Sequence, residues 1–426
     1  MTGHARPVII AGGGIGGATL ALSLHQIGVP SVVLESVERI EPLGVGINVL
    51  PHAVRELTEL GLGEVLALNA VATAELAYYT KRGQLIWQEP RGKAAGYKWP
   101  QYSIHRGTLQ ALLHVKVCER LGRTTVRTGH HVTGWEDQGD HVVVHSTDRK
   151  TGAAREPIEG ALFIAADGIH STARARIYPD EGAPIWNGAI LWRGVTEAAP
   201  FLTGRSMIMA GHEFQKFVCY PISERRSSTA KASINWVAEL KFKPDHPWRR
   251  EDWNRRARLE DFLPAFEGWT FPWLDVPRLI REAETVYEYP MVDRDPLPRW
   301  THGRMTLLGD AAHPMYPIGS NGASQGILDA RVLAREIQAK GLTEAALAAY
   351  EAERRPATAK IVLANRGNGP ETVMQLVETR APQGFARIED VLSRAELEDA
   401  AAAYKRLAGF DKDALNARPP IVSVPR

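Results

Sequence analysis

The sequence has few cysteines and no long apolar run. Its two cysteines, Cys118 and Cys219, lie far apart and outside any CxxC pair, which argues against a disulfide scaffold and a dithiol redox centre. No apolar stretch approaches the ~20 residues that span a bilayer. No signal-peptide segment precedes the first apolar residues. These absences predict a soluble, cytoplasmic protein without a membrane span.

An excess of charge of one sign is also missing. The chain has 51 Lys and Arg against 49 Asp and Glu, a formal net charge of +2. This balance argues against a nucleic-acid-binding protein, which needs a basic face. The 14 histidines show no HExxH or other metal-binding spacing. What remains is an ordinary globular composition in 426 residues, long enough for two or three structural units.

The first forty residues carry a strand-helix-strand pattern. An apolar, β-branched run predicts a buried strand over 7–11, and a helix is predicted over 18–27. A second strand over 31–34 follows, and Glu35 ends it. This is the order of elements in a βαβ unit that binds a dinucleotide.

A glycine motif joins the first strand to the helix. Gly12, Gly14 and Gly17 match G-x-G-x-x-G. They allow, in turn, a tight turn, close approach of a pyrophosphate, and close packing of helix and strand. Glu35 can accept hydrogen bonds from both hydroxyls of a ribose. The motif predicts dinucleotide binding and leaves NAD and FAD open.

Two further strands end in acidic residues. A buried strand over 162–166 runs into Asp167, and a strand at 307–308 runs into Asp310. An acid at the carboxyl end of a strand in such a sheet faces the ligand crevice. The alternative for either residue alone is a helix N-cap.

Taken together, these motifs resemble the single-component flavoprotein aromatic hydroxylases, the group that contains p-hydroxybenzoate hydroxylase and salicylate hydroxylase. The resemblance covers about residues 6–366. Within the family, five stretches are most similar to the branch represented by 5-methylphenazine-1-carboxylate 1-monooxygenase. They are 43–48, 102–107, 192–197, 289–296 and 315–325.

The resemblance implies FAD as cofactor, NADH or NADPH as co-substrate, and a role for each matching residue. One group would hold the pyrophosphate, adenosine and ribityl chain. It comprises Gly12, Gly14, Ile15, Gly16 and Gly17 at the pyrophosphate, Glu35 at the ribose, Val132 at the adenine, Arg106 at the ribose or phosphate region, and Asp310 at a ribityl hydroxyl.

A second group would surround the flavin ring. By the resemblance, Asp167 serves both FAD positioning and the approach of NAD(P)H, and Gly46 and Ile47 lie near the isoalloxazine edge. The loop with Gly319 and Gly322 precedes a helix that starts near Ala323. The N–H groups and positive dipole end of that helix suit the negative charge of a reduced flavin.

The fold class implied is α/β, with a Rossmann-like FAD-binding domain and an inserted antiparallel substrate sheet. The predicted boundaries are 1–180 and 296–366 for the two parts of the FAD-binding domain, 181–295 for the insert, and 367–426 for a C-terminal helical extension. A capping box, Ser393 to Glu396, predicts a helix running towards residue 408. The sequence leaves open whether the extension packs on the core or serves a homodimer.

The activity implied is monooxygenation. NAD(P)H reduces FAD, O2 forms a C4a-hydroperoxyflavin, and an electron-rich ring is hydroxylated. Three residues are candidates for a catalytic role. Arg193 could meet a substrate carboxylate or serve the flavin or a structural ion pair, and Tyr220 could orient a substrate or be a core tyrosine. Pro317 precedes the flavin loop, where Ile318 replaces the histidine of salicylate hydroxylase-like relatives.

The expected substrate is a small, planar aromatic or N-heteroaromatic acid, hydroxylated with or without loss of its carboxylate. Two other functions remain open. One is a flavin dehydrogenase or oxidase on the same fold, and the other is a non-catalytic FAD-fold binding protein.

Overall fold

The computed structural model describes residues 6–42, 44–223, 231–243, 245–246, 255–367 and 369–423. Leu43, the first residue of the stretch 43–48, lies outside the described residues. The strands in chain order are β1 (Val8–Ala11), β2 (Ser31–Glu35), β3 (Gly46–Val49), β4 (Val71–Thr73), β5 (Glu75–Tyr79), β6 (Leu85–Pro90), β7 (Gln101–His105), β8 (Val126–Thr128), β9 (His131–Asp137), β10 (Val142–Thr147), β11 (Ile158–Gly160), β12 (Leu162–Ala165), β13 (Ile185–Ala198), β14 (Ser206–His212), β15 (Gln215–Pro221), β16 (Ala232–Lys241), β17 (Thr270–Phe271), β18 (Leu274–Asp275), β19 (Val286–Asp293), β20 (Thr301–His302) and β21 (Met305–Leu307).

The helices lie mostly between and after these strands. They are α1 (Ile15–Gln26), α2 (Pro51–Glu59), α3 (Gly63–Asn69), α4 (Arg106–Leu121), α5 (Thr172–Ile177), α6 (Val276–Arg281), α7 (Gly322–Lys340), α8 (Glu344–Arg366), α9 (Thr372–Arg380), α10 (Arg394–Leu407) and α11 (Lys412–Ala417). Among the helices that the structure describes, none is long and apolar enough to cross a membrane.

A six-stranded sheet forms the first layer, in the order β20-β21-β12-β1-β2-β8. β1 pairs in parallel with β2 and β12, and β12 pairs in parallel with β21. β1 is entirely buried because helices cover the sheet, which explains its unbroken apolar sequence. The predicted strand-helix-strand unit at the start of the chain is therefore confirmed. The carboxyl ends of β1, β2, β12 and β21 open on one edge, where the crevice lies.

A seven-stranded sheet forms the second layer, in the order β19-β13-β16-β15-β14-β5-β6. Its neighbouring strands are antiparallel except for β14 and β5, which pair in parallel. β5 and β6 come from residues 75–90, so the sheet extends beyond the predicted insert of 181–295. The sequence pattern gave no sign of this pairing, because nothing local to β5 points to a partner more than a hundred residues away.

The two faces of the seven-stranded sheet have different coverings. One face packs under an aromatic layer that includes Phe262, Phe266 and Trp269. The other face carries Tyr78, Met209 and side chains close to them, and it packs against α9 and α10. The C-terminal extension therefore covers the face of the sheet that borders the crevice.

The chain from Gly322 to Arg366 forms two helices, α7 and α8. α7 ends at Lys340, where Gly341 takes a positive φ of 73°. Thr343 then caps α8, its side chain accepting a hydrogen bond from the N–H of Ala346. The predicted capping box at Ser393 and Glu396 is present at the start of α10.

Candidate active site

The glycine turn after β1 is shaped to leave room for a ligand. Gly12 has φ +99°, and a Cβ there would overlap the carbonyl oxygen of Ala166. A Cβ at Gly17 would overlap the carbonyl oxygen of Gly12, so these two glycines pack the chain against itself. A Cβ at Gly14 would meet nothing within 4 Å. Gly14 therefore borders open space at the start of α1, where no side chain caps the helix.

Ile15 and Gly16 open the first turn of α1 beside this space. Gly16 lies against the end of β21, since a Cβ there would stand 2.8 Å from the side chain of Leu308, which follows that strand. The first turn of α1 contains no acidic residue. Its uncapped N–H groups and the helix dipole make this end of α1 suitable for an anion.

Glu35 is held firmly at the end of β2. Its Oε2 accepts a hydrogen bond from the N–H of Gly13 at 2.7 Å, and its Oε1 accepts one from the N–H of Val37 at 3.0 Å. The carbonyl of Glu35 accepts from the N–H of His130 at 2.9 Å. This bond brings the start of β9, with buried Val132, next to the end of β2.

Asp167 follows β12 and has one free carboxylate oxygen. Oδ2 accepts a hydrogen bond from the N–H of Thr172 at 2.9 Å, which supports the start of α5. Ser171, rather than Asp167, is the N-cap of that helix. Oδ1 is buried and has no partner among the described residues. Burial raises the pKa of Asp167, against hydrogen bonds from Ser171 and backbone N–H groups.

Asp310 lies in a 3-10 turn after β21 and faces the crevice. Its side chain is exposed and makes no hydrogen bond within the described residues. The helix-cap alternative therefore finds no support at this residue. Because protein surrounds the crevice, desolvation raises the pKa of Asp310, while His313 and Arg106 act in the opposite direction. Arg106, exposed at the start of α4, therefore faces the same space as Asp310.

The turn that carries Asp310 is anchored by a residue that the motifs did not identify. Asp329 on α7 accepts a hydrogen bond from the N–H of Gly309 at 3.1 Å and contacts His313 Nε2 at 2.5 Å. Its other oxygen accepts from Arg354 at 2.7 Å. Burial alone would raise the pKa of Asp329, but His313 and Arg354 lower it to about 2. The histidine of the Gly309 motif is thus part of a buried ion-pair network.

The carbonyl of Gly46 on β3 joins two of the three catalytic candidates. It accepts hydrogen bonds from Arg193 at 2.8 Å and from the Tyr220 hydroxyl at 2.9 Å. The N–H of Gly46 donates to Asn235 Oδ1 at 2.7 Å. Half-buried Ile47 follows on the same strand. Gly46 therefore ties β3 to three strands of the seven-stranded sheet.

Arg193 and Tyr220 differ in the hydrogen-bond donors that remain available to a ligand. Arg193 forms no ion pair within the described residues, and its Nε is buried without a partner. Burial lowers the pKa of Arg193, against the influence of Tyr220 and Tyr289. Burial raises the pKa of Tyr220 to about 12, so this phenol stays protonated and donates to Gly46. The structural ion pair considered for Arg193 is absent from the described residues.

The loop before α7 is held in an unusual backbone conformation. Exposed Pro317 accepts a hydrogen bond from the N–H of Ser320 at 3.1 Å. Gly319 and Ser320 both have positive φ, +69° and +56°. A Cβ at Gly319 would overlap the Tyr404 hydroxyl of α10. Glycine adopts this region of φ freely, but Ser320 does so at an energetic cost that its surroundings must offset, a feature often found at functional sites.

The start of α7 is uncapped. Asn321 precedes the helix, but its side chain donates to the Tyr404 hydroxyl at 3.2 Å instead of capping. Gly322 and Ala323 follow, partly exposed, and the first turn has no acidic residue. This helix of 19 residues therefore directs its positive end into the crevice.

These features fit FAD. The open space at Gly14, the start of α1 and the free oxygens of Asp167 and Asp310 follow the carboxyl ends of the neighbouring strands β1, β12 and β21. α7 is hydrogen-bonded to the Asp310 turn through Asp329. Comparison with known proteins agrees. A family model described as an FAD binding domain matches residues 5–263 and 274–365.

The chain belongs to the single-component flavoprotein hydroxylase family. It is 48% identical over 389 residues to the phenazine 1,6-dicarboxylic acid hydroxylase PhzS of Lysobacter antibioticus, which covers 91% of this chain and 95% of that protein. It is 31% identical to the 6-hydroxynicotinate 3-monooxygenase of Pseudomonas fluorescens, over 83% of this chain and 89% of that protein.

Solved structures share the whole fold. The structure of HpxO from Klebsiella pneumoniae with FAD and uric acid is 25% identical, has a TM-score of 0.74 and covers 97% of both chains. A salicylate hydroxylase substrate complex has a TM-score of 0.70 at 24% identity, covering 95% of this chain and 98% of that one, and it supports the fold alone.

Membership of the family establishes the class of reaction. The hydroxylase is an FAD-dependent, NAD(P)H-consuming monooxygenase of aromatic compounds, so the enzymatic reading of the motifs is confirmed. An aromatic substrate, O2 and NAD(P)H are the partners typical of the family. The roles of individual residues around FAD stay predictions.

Sequence reasoning missed the residues that support the site. Asp329, Asn235 and Tyr404 each hold a predicted site segment through a contact distant in sequence. Nothing in the sequence distinguishes the first, because α7 and α8 carry several other charged residues besides Asp329 and Arg354. The other two belong to no motif.

Proposed function

We propose that the hydroxylase acts on a planar, electron-rich aromatic or N-heteroaromatic carboxylic acid. The observation that carries this proposal is the junction at Gly46. There a guanidinium with an unused N–H and a protonated phenol meet beside the loop before α7, next to an apolar cluster that includes Met207, Met209 and Ile222. An apolar surface with few fixed polar groups suits an aromatic molecule whose orientation matters.

The crevice would hold FAD along its length. When bound, FAD supplies hydride acceptance from NAD(P)H and activation of dioxygen. The residues proposed to hold it run from the adenosine end to the ring. They are Glu35 and Val132, then Gly12, Gly14, Ile15, Gly16, Gly17 and Arg106, then Asp310 and Asp167, and finally Gly46, Ile47, Gly319, Gly322 and Ala323.

The protein contributes positioning, charge and exclusion of water. The uncapped start of α7 would stabilise negative charge on the pyrimidine side of the flavin ring. Arg193 would offer its free N–H to the flavin ring or to an acceptor on the substrate, and Tyr220 fixes the Gly46 carbonyl. The raised pKa of Tyr220 argues against its use as a base. Ile318 and exposed Pro317 bring no titratable side chain to the loop, so a ring substituent of the substrate must supply the electron density for attack.

The relative of known activity suggests which acids to test first. PhzS of Lysobacter antibioticus is named for a phenazine dicarboxylic acid. Phenazine carboxylates are accordingly the first candidates for this chain, ahead of single-ring benzoates and pyridine carboxylates.

The experiment is an 18O2 incorporation assay. The purified holoenzyme is incubated with NADH or NADPH and each acid, and product mass, released CO2 and hydrogen peroxide are measured. One labelled oxygen in the product supports the proposal, and CO2 release shows attack at the carboxylate-bearing carbon. Hydrogen peroxide without labelled product from every acid would instead indicate an oxidase, and oxygen-independent oxidation of a substrate would indicate a dehydrogenase.

The cytoplasmic location and a homodimer belong to this proposal as well. Light scattering after size-exclusion chromatography tests the second directly, since a monomer mass at micromolar concentration would contradict it.

A further inference from the structure

An open groove lies where the C-terminal tail (416–423) crosses α7. It has a volume of about 470 Å³, within the usual range for small-molecule sites. Its walls include Arg335 and Gln338 of α7 and Arg418, Pro420 and Ile421 of the tail. Arg335 lies in the second half of a helix whose first turn borders the crevice. About 20 Å of helix therefore separate the groove from the flavin loop.

The tail that forms one wall of the groove is fixed by its own contacts. Val422 is buried, and Gln338 of α7 donates a hydrogen bond to the carbonyl of Ser423 at 2.8 Å. At the start of the tail, the Asn416 side chain donates to the carbonyl of Gly96 at 2.9 Å. The groove is therefore part of the folded structure and does not depend on a ligand to form it.

The inner end of the groove holds one carboxylate and three guanidinium groups. Buried Glu56 of α2 accepts hydrogen bonds from Arg331 Nε at 3.3 Å and from Arg418 Nη2 at 3.5 Å. Its carboxylate also lies 3.9 Å from Arg55 Nε. The side chains of Arg331 and Arg55 are 0% and 2% exposed. One carboxylate thus serves three cations, which leaves a surplus of positive charge behind the groove.

The other acidic residues nearby do not remove this surplus. Glu336 and Glu353 both pair with Arg335, and Glu336 also pairs with Lys340. Glu59, at the end of α2, is exposed to solvent, where its charge is screened. The carboxylates around the groove are therefore either committed to other cations or surrounded by water.

Three N–H groups of the cluster are unused. Arg55 Nε, Arg331 Nη2 and Arg418 Nε are buried and have no hydrogen-bond partner among the described residues. Burial lowers the pKa of both Arg331 and Arg418, against the influence of Glu56. Buried charges in proteins are normally paired and buried donors normally satisfied. The cluster therefore lacks an acceptor that carries negative charge.

We propose that the inner end of this groove binds a small oxyanion, a phosphate or carboxylate group, at Arg418 with Arg331 and Arg55 behind it. A guanidinium presents its N–H donors in a plane that matches two oxygens of such a group. The outer part of the groove, at Pro420 and Ile421, leaves room for the body of a larger anion. The site lies outside the crevice and does not rest on the proposed function.

An anion at this site would strengthen the attachment of the tail. Arg418 belongs to the tail, whereas Arg331 and Arg55 belong to α7 and α2. A ligand that contacts both parts binds only the folded chain, and it raises the free energy of unfolding by mass action. The same tail follows α10, which supplies Tyr404 to the loop before α7.

The first test is isothermal titration of the holoenzyme with inorganic phosphate. Saturation with FAD keeps phosphate out of the crevice, and sodium chloride holds the ionic strength constant. A parallel titration with acetate distinguishes a phosphate site from a carboxylate site. Arg418→Met should lower the affinity about ten- to hundredfold, the value of a charge-assisted hydrogen bond. Lys412→Met is the matched control, because Lys412 is an exposed cation just before the tail.

A second variant should change the affinity in the opposite direction. Glu56→Gln removes the carboxylate that competes with the ligand for the three guanidinium groups, so phosphate should bind about tenfold more tightly. The melting temperature of this variant should also rise more in phosphate than that of the wild type. A Glu56→Gln protein that is equally destabilised in phosphate and in chloride would instead indicate a purely structural cluster.

The remaining outcomes are also decisive. Arg335→Met, at the wall of the groove, should weaken phosphate binding several-fold and keeps the test valid if Arg418→Met does not fold. Binding of either anion that is lost in Arg418→Met and kept in Lys412→Met supports the proposal. Failure of the wild type to bind phosphate or acetate, or unchanged affinity in Arg418→Met and Arg335→Met, would overturn it. Neither result bears on the 18O2 assay, so the proposed function is tested separately.

Discussion

The two ends of the crevice are built in different ways. At the adenosine end, β1, the glycine turn, α1 and Glu35 follow one another along the chain, and Glu35 accepts a hydrogen bond from the glycine turn directly. At the flavin end, Gly46, Arg193, Asn235, Ser320 and Tyr404 come from segments spread over most of the sequence. The first end is therefore a local motif that a single residue can disable, whereas the second exists only when the whole chain has folded.

The largest effect is expected from a substitution in the glycine turn at the adenosine end. Gly14→Val should abolish FAD retention, because the new side chain fills the space where the pyrophosphate is proposed to sit. The fold should survive, since a Cβ at Gly14 meets nothing within 4 Å. Flavin content and apo-protein melting temperature are the measurements. Gly268→Val is the control, because a Cβ at Gly268 also meets nothing within 4 Å. Full flavin content in a folded Gly14→Val protein would show that the motif does not bind the cofactor.

Removal of the Asp329 anchor should lower both the stability of the protein and its affinity for FAD. Asp329→Asn leaves Arg354 and His313 buried without their carboxylate, and removing one partner of a buried pair costs about 3–5 kcal/mol. We expect the free energy of unfolding in urea to fall by that amount and FAD to bind more weakly. Asp399→Asn, on the exposed surface of α10, serves as control. Equal stability of the two variants would mean that Asp329 is not an anchor.

Asp310 lies between the two ends and should affect cofactor binding more than stability. Asp310→Ala removes a crevice-facing carboxylate that bonds nothing else in the described chain. Losing one charged hydrogen bond should cost about 1.5–3 kcal/mol, or ten- to hundredfold in FAD affinity. Isothermal titration of the apo-protein with FAD measures this. Unchanged affinity with a large loss of apo stability would contradict a role of Asp310 in cofactor binding.

The smallest expected effect is a pH dependence of the stability that comes from His52. Burial, Arg418 and Arg354 lower the pKa of His52 from 6.5 to about 3. In this pH range the unfolded chain therefore binds a proton at His52 that the folded chain does not bind. The free energy of unfolding should fall as pH drops from 6.5 towards 3. The loss is at most about 1.4 kcal/mol per pH unit. Urea unfolding at pH 7.0 and 5.5 should show a smaller difference for His52→Gln than for the wild type. The same difference in both proteins would exclude His52 as the source.

The same comparison explains how far the sequence could predict the molecule. β1, α1 and β2 follow from apolar periodicity and glycine spacing, because the residues that carry these signals lie close together in the sequence. The pairing of β14 with β5, and the approach of Tyr404 to Gly319, depend on tertiary packing that no local pattern records. Arg193 and Tyr220 could be proposed from their strands, but their meeting at Gly46 could not.

The contact between Gly319 and Tyr404 also has a consequence in time. Gly319 and Tyr404 are 85 positions apart. At ordinary rates of synthesis, about 4–17 s pass after the ribosome adds Gly319 before it adds Tyr404. During that interval β1, α1 and β2 are already available outside the ribosome, but the loop before α7 lacks the ring that holds its two positive-φ residues in place. The glycine turn and Glu35 are therefore synthesised well before the loop before α7 can be held, and we expect the flavin end of the crevice to be completed only after α10 has docked.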